Sequence, residues 1–346
     1  MYQAYNEIFK QGESLKKTYE HLTDNKENIR SFFNGIEFDE AVFVACGSSY
    51  WMSLSACMTW QELLKKPCHA VKSGDVVLSP EFYKNAYKKP LFIVPSRSGR
   101  TSETLMAVKM LKEKYNAPVF AIVAYDDSPV ALLSDFTINI NWANEISICQ
   151  TRTFNNLYVV SLLTADIIAG DGSLSSEIKD YIDNFDEYAQ AGEDTIKRLI
   201  EDFPGCKTLV SLSAGKQYGI AIEGAYIAVE MAQFNGLYYG LLEYRHGPIV
   251  TADETVLVSI LSTIDNNGHE EKLAEEIRKT GAKVLAVTSG YNFINADYRA
   301  GLNKKVCREA LALYGMFTLQ AFAYYKACDL SRNPDKPKEL VSFIEL

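Results

Sequence analysis

Three apolar runs in the first half of the chain return in the second half at one fixed spacing. Thr208-Leu209-Val210-Ser211-Leu212-Ser213-Ala214-Gly215 parallels the run Ala41-Val42-Phe43-Val44-Ala45 with its Cys46-Gly47 turn. Residues 255–263 parallel the run that ends at Ser96, and residues 283–288 parallel residues 118–124. Each offset is about 165 residues, and a constant offset over three successive runs points to an internal repeat. The runs are short, continuous and rich in Val, Ile and Leu, as expected of strands buried on both faces. Helix-length segments separate them. The chain should therefore be α/β, built from two copies of a parallel sheet flanked by helices. Its 346 residues suit about two domains.

In order, residues 1–38 read as a helical arm with apolar positions at Ile8, Phe9, Leu15 and Leu22. A first α/β domain follows over residues 39–172. It holds the strand at 41–45, a helix from Trp51 to Leu64, an apolar piece at 70–77, strands at 91–94, 119–124 and 136–140, and a long apolar helix over 155–169. Gly170-Asp171-Gly172 stops that helix. An acidic amphipathic connector over 173–204 leads to the second domain, 205–346.

The first copy carries a phosphate-binding pattern. The strand at 91–94 runs into Ser96-Arg97-Ser98-Gly99-Arg100-Thr101-Ser102-Glu103-Thr104, and a helix follows. A strand, a small polar loop and a helix start present backbone N–H groups and the helix dipole to an anion. An ordinary helix cap would account for one or two of the hydroxyls, whereas five of these nine residues carry one. At the matching place the second copy reads Thr263-Ile264-Asp265-Asn266-Asn267-Gly268-His269-Glu270-Glu271. Acidic groups at that helix start should repel a phosphate, so one cradle is expected.

Composition removes other classes. A net charge of −9 excludes a basic nucleic-acid face. No apolar run is long enough to span a membrane, and the N-terminus has no secretory pattern. Seven cysteines without a CxxC pair read as reduced thiols of a cytoplasmic protein. Four histidines with no ligand-spaced cluster argue against a catalytic metal. No cofactor is implied.

Cys46-Gly47-Ser48-Ser49, the Ser96–Thr104 stretch, Glu223-Gly224-Ala225 and Glu243-Tyr244-Arg245-His246-Gly247-Pro248, taken in order, resemble the sugar isomerase (SIS) domain superfamily. The similarity is to the isomerase half of glucosamine-6-phosphate synthase and to amino-sugar-phosphate isomerases and deaminases, and it extends through the tail Asn333-Pro334-Asp335-Lys336-Pro337. It implies two tandem flavodoxin-like SIS domains and a homodimer with active sites near the interface. It places phosphate contacts on Ser49, Ser96, Arg97, Ser98 and Thr101, with Arg97 where the synthase has glutamine. Sugar contacts fall on Ile148, Gln150 and the tail position Ser342. The catalytic glutamate falls on Glu230, and the histidine on His246, reaching in from the neighbouring subunit.

A carboxylate on an apolar helix suits proton transfer between C1 and C2 of a sugar, and an imidazole suits ring opening. Read from residues alone, Glu230 could equally be a solvated helix-end glutamate and His246 a structural histidine. Ser342 stands where the synthase has its Schiff-base lysine, and Ile227 where it has a second lysine. Nor does the chain show an amidotransferase domain, so glutamine-driven synthesis is not expected of it alone. The expected activity is a metal-independent isomerase and deaminase acting on a hexose 6-phosphate or amino-hexose 6-phosphate. A fructosamine-6-phosphate deglycase and a non-catalytic phosphosugar sensor are the alternatives.

Overall fold

The computed structural model describes residues 2–263 and 268–344. Among the described residues are ten strands, most of them separated by helices. The strands are β1 (Glu40–Ala45), β2 (Cys68–Lys72), β3 (Pro90–Ser96), β4 (Val119–Val123), β5 (Phe136–Asn139), β6 (Thr208–Ser213), β7 (Asn235–Gly240), β8 (Val256–Leu261), β9 (Lys283–Ser289) and β10 (Tyr298–Leu302). Helices α1 (Gln3–Phe9), α2 (Gly12–Asp24) and α3 (Lys26–Asn34) precede the first strand. Helices α4 (Gly47–Leu64), α5 (Ser73–Leu78), α6 (Pro80–Tyr83), α7 (Ser102–Tyr115) and α8 (Pro129–Leu133) lie among β1 to β5. Three helices, α9 (Arg152–Ala169), α10 (Ser173–Asp183) and α11 (Phe185–Asp202), lead to the second set of strands. There α12 (Tyr218–Ala232), α13 (His269–Lys279) and α14 (Arg308–Asp329) complete the order.

The chain forms two compact units. One comprises Glu13–Glu145, Arg152–Lys179 and Val341–Leu346, and the other Met1–Gly12, Ile146–Thr151 and Asp180–Leu340. Each is built on a five-stranded sheet whose paired strands are all parallel. The first sheet runs β2-β1-β3-β4-β5 and the second β10-β9-β8-β6-β7. Read from its first strand, each sheet has the same order. The α/β class with helix-flanked parallel sheets thus stands as expected.

In the first unit the core lies between one sheet face and α7, with Val42, Val44, Phe92, Val94 and Ala121 against Ala107, Val108 and Leu111. The other face meets α4, where the Trp60 indole N–H donates to Ser161 O of α9 at 2.8 Å. In the second unit Val258, Ile260, Val284 and Ala286 pack with Leu273 and Ile277 of α13. On that sheet's opposite side α12 and α14 approach closely at Gly224, where a Cβ would lie 2.0 Å from Leu319 Cδ1. The glycine of Glu223-Gly224-Ala225 is therefore a packing residue.

The sequence reading differs from the structure at three edge strands. The apolar piece at 70–77 is two elements, the end of β2 and most of α5. β7 and β10 were not anticipated. No helix among the described residues is long and apolar enough to cross a membrane.

Candidate functional site

β1 pairs with β2 on one side and β3 on the other, so the crossovers leave β1 and β3 in opposite directions. That makes a topological switch point, the place where open α/β sheets bind ligands at their carboxyl edge. The turn after β1 (Cys46 to Ser49) and the loop after β3 (Ser96 to Thr101) both end there. α4 begins at Gly47, four residues earlier than the sequence indicated, and this brings Ser48 and Ser49 into its buried first turn. Thr104, in the first turn of α7, ties the loops together, with its hydroxyl 3.5 Å from Cys46 Sγ and 3.3 Å from Ser73 Oγ.

Inside the loop the hydrogen bonds differ from expectation. Ser96 Oγ accepts the Gly99 N–H (3.0 Å), and Ser98 Oγ accepts the Arg100 N–H (3.2 Å). The N–H of Ser102 donates to Ile344 O at 3.2 Å. These backbone donors, which would ordinarily face an anion, are already engaged. The Ser96 and Ser98 hydroxyls stay usable, because a hydroxyl that accepts from N–H still has its own proton to donate. Thr101 occupies the cap position of α7 without making a side-chain cap bond, so its hydroxyl is not spent on capping. Gly99 has a φ of +62°, and a Cβ there would lie 1.7 Å from Ser128 Oγ.

The cation of the loop is held by a residue the sequence did not single out. Arg97 is buried, and its Nη1 lies 3.4 Å from the fully buried Glu145 carboxylate. The other Glu145 oxygen accepts the N–H of Thr153 in the first turn of α9, at 3.2 Å. Arg97 Nη2 donates to the carbonyl of Ser342 at 2.9 Å. Ser342 therefore comes to the cradle, through its backbone. Nothing in the composition marks Glu145; only the fold brings it to Arg97.

The other candidates lie in the second unit. The Ile146–Thr151 segment is fastened at both ends. Glu7 accepts from the N–H groups of Ile146 (2.6 Å) and Ser147 (3.3 Å), Ile148 N donates to Asp335 O (3.0 Å), and Gln320 Nε2 donates to Thr151 O (3.0 Å). Gln150 is half-buried, and its buried Oε1 has no partner among the described residues. Asp335, from the tail motif, accepts the N–H groups of Gln3 and Ala4 at 2.9 and 2.7 Å and so caps α1.

Glu230 is half-buried near the end of α12. Burial, together with the charges of Glu230 and then Glu223, raises the Tyr226 hydroxyl above its ordinary value. Tyr226, one turn earlier on the helix, thus belongs to the same group, and the sequence reading passed over it. Arg332 donates to Ala232 O and, at 2.5 Å, to Gln233 O at the helix end. His246 is exposed and follows the short helix Glu243–Arg245, its N–H bonded to Glu243 O at 2.9 Å. α12 runs back from the carboxyl edge of β6 to the start of β7, while His246 lies past the far end of β7. The six residues of β7, at about 3.3 Å each, span roughly 20 Å, so the two residues lie toward opposite ends of that strand. One protomer does not bring Glu230 and His246 together.

At the switch point of the second sheet the anion position is filled from within. The buried Glu270 carboxylate accepts from Ser262 Oγ (2.8 Å), Thr263 N (2.8 Å) and Thr263 Oγ1 (2.7 Å). Beyond electrostatic repulsion, the donors are taken. Residues 264–267 of the expected acidic loop lie outside the described residues.

Residues 37–168 match the family model of the SIS domain. Over this stretch the chain is similar to an SIS domain. That stretch contains β1 to β5 and the residues of the cradle. The chain is 29% identical over 317 residues to glutamine–fructose-6-phosphate aminotransferase (isomerizing) of Methanothermobacter thermautotrophicus, covering 89% of this chain and 52% of that protein. It thus spans about half the length of this curated relative. A crystal structure of glucosamine-6-phosphate deaminase from Thermotoga maritima superposes with a TM-score of 0.84 at 27% identity, covering 99% of this chain and 100% of that one. The C-terminal domain of glucosamine-fructose-6-phosphate aminotransferase from Francisella tularensis shares the fold, with a TM-score of 0.79 at 20% identity over 97% and 98% of the two chains.

Proposed function

We propose that this protein is a metal-independent isomerase and deaminase of an amino-substituted hexose 6-phosphate. The observation that carries this reading is the cradle at the β1/β3 switch point of the SIS-like stretch, with hydroxyl donors at Ser49, Ser96, Ser98 and Thr101 and a buried guanidinium at Arg97. Arg97 offers planar donors to phosphate oxygens.

The chemistry follows from the remaining residues. A homodimer places the partner subunit's His246 beside the substrate, a role supported by its distance from Glu230 within one chain. That imidazole protonates the ring oxygen and opens the sugar. Glu230 takes the C2 proton of the aldehyde form and delivers it to C1. With an amine on C2 the product is a ketimine, which water converts to ketose phosphate and ammonia. Gln150 accepts a sugar hydroxyl through its unpartnered Oε1. Ile148 lines the same segment. Ser342 brings a carbonyl and not an amine to Arg97, so the nitrogen enters with the substrate. This also suits a deglycase, which would release an amino acid from a fructosamine 6-phosphate.

We also read the two sheets as copies of one unit, on their identical strand order. Purified protein should release ammonia and ketose phosphate from glucosamine 6-phosphate or galactosamine 6-phosphate, and Glu230→Gln should abolish both. Amino-acid release from fructosamine 6-phosphates without turnover of free amino sugars would select the deglycase. Sugar-phosphate binding with no turnover of either would leave a sensor.

A further inference from the structure

A cavity of about 320 Å³ opens where α9 ends. It is lined by α2, α3, the last turns of α9, the Gly170-Asp171-Gly172 turn and the start of α10, all in the unit that holds the cradle. Its volume suits a small metabolite. It is not part of the cradle: Asp166 on its wall lies about 20 Å along α9 from Thr153, at 1.5 Å per residue, and Thr153 is the residue bonded to Glu145.

The floor is apolar, with Tyr19, Leu22, Leu163 and Ile167, and three cations, Lys26, Arg30 and Lys179, surround it. Two carboxylates also line it, and both are engaged. Asp166 is buried and accepts from Gly172 N (3.2 Å), Ser175 N (3.0 Å) and Ser175 Oγ. Asp171 accepts from Ser173 Oγ. Arg30 is held in place, with Nε donating to Ile167 O (3.3 Å) and Nη1 to Glu27 (3.2 Å). Lys26 makes no ion pair with a carboxylate among the described residues. It occupies the first position of α3, the end at which the helix dipole disfavours a cation. Helix stability does not explain a lysine there, and neither does the net charge of −9.

We propose that this cavity is a second anion site, which takes a small organic acid or phosphate ester with its apolar part against Tyr19 and Leu163 and its charge toward Lys26, Arg30 and Lys179. Lys26→Glu is the variant of choice, because an acid in the first turn favours α3 and should leave folding intact. Lys179→Glu, on the exposed side of α10, is the second. The full chain is titrated calorimetrically with inorganic phosphate and, separately, with succinate, and a melting curve for each variant checks folding. At least one of the two anions should bind in a phase that either variant weakens by roughly tenfold or more and that Ser98→Ala/Thr101→Ala leaves unchanged. Loss with phosphate marks a phosphate ester as the ligand class, and loss with succinate an organic acid. If neither anion binds, or if folded Lys26→Glu and Lys179→Glu titrate like the wild type, the proposal is wrong. Loss of binding in the Ser98/Thr101 variant alone would support the cradle and overturn the second site.

Discussion

Arg97 and Gly99 show how the cradle is made from individual residues. Gly99 adopts a left-handed φ and sits where any Cβ would strike Ser128. Its carbonyl also accepts the Val130 N–H at 3.1 Å, so the loop cannot simply move aside. Gly99→Ala should cost at least about 1–2 kcal/mol of folding free energy from the backbone alone and should weaken sugar-phosphate binding, both measurable by urea denaturation and by titration. Arg97 is a different case. Its charge is buried beside Glu145, and removing one partner of a buried pair leaves the other uncompensated. Glu145→Ala should therefore destabilise the protein by about 3–5 kcal/mol, and Arg97→Met/Glu145→Met should recover much of that loss. Equal destabilisation by the single and double variants would show that the pair is not what holds the loop.

At the scale of elements, the strands inside the sheets were read correctly from sequence, and of the edge strands β5 was also found, at 136–140. β1, β3, β4, β6, β8 and β9 lie inside their sheets, and their runs are continuous and apolar. The strands missed or blurred were at edges. β7 reads Asn-Gly-Leu-Tyr-Tyr-Gly and is half-exposed along its length, and β10 alternates buried and exposed with an arginine and a glycine inside. β2 runs straight into α5, so one apolar piece hid two elements. Half-exposed edge strands give no unbroken apolar signal. The cradle's hydroxyls were legible because a helix cap needs only one or two of them. Glu145 and Tyr226 were not, because neighbours distant in sequence or one helical turn away give them their setting. The filled anion position in the second sheet makes its own prediction. Glu270→Ala would strip the acceptor from three donors, costing about 1–3 kcal/mol, and a denaturation midpoint unchanged from wild type would contradict that role.

For the whole molecule, the proposed reaction takes place in a dimer. Glu230 and His246 lie toward opposite ends of the six-residue β7, a span of roughly 20 Å, and the proposed site takes its histidine from the partner subunit. Glu230→Gln and His246→Ala should each be inactive as pure proteins. Refolded together in equal amounts, half of the dimers are mixed and each mixed dimer has one complete site, so about one quarter of wild-type activity should return. In the proposed reaction Glu230 carries a proton between C1 and C2 of the bound sugar phosphate. Its most direct measurement is proton NMR of glucosamine 6-phosphate incubated with the protein in deuterium oxide. Under this assignment the wild type should deliver hydrogen to C1 of the ketose product, with deuterium there to the extent that the Glu230 carboxyl exchanges with solvent before delivery, and Glu230→Gln should stop both exchange and turnover while still binding the substrate. Exchange that continues undiminished in Glu230→Gln would contradict it.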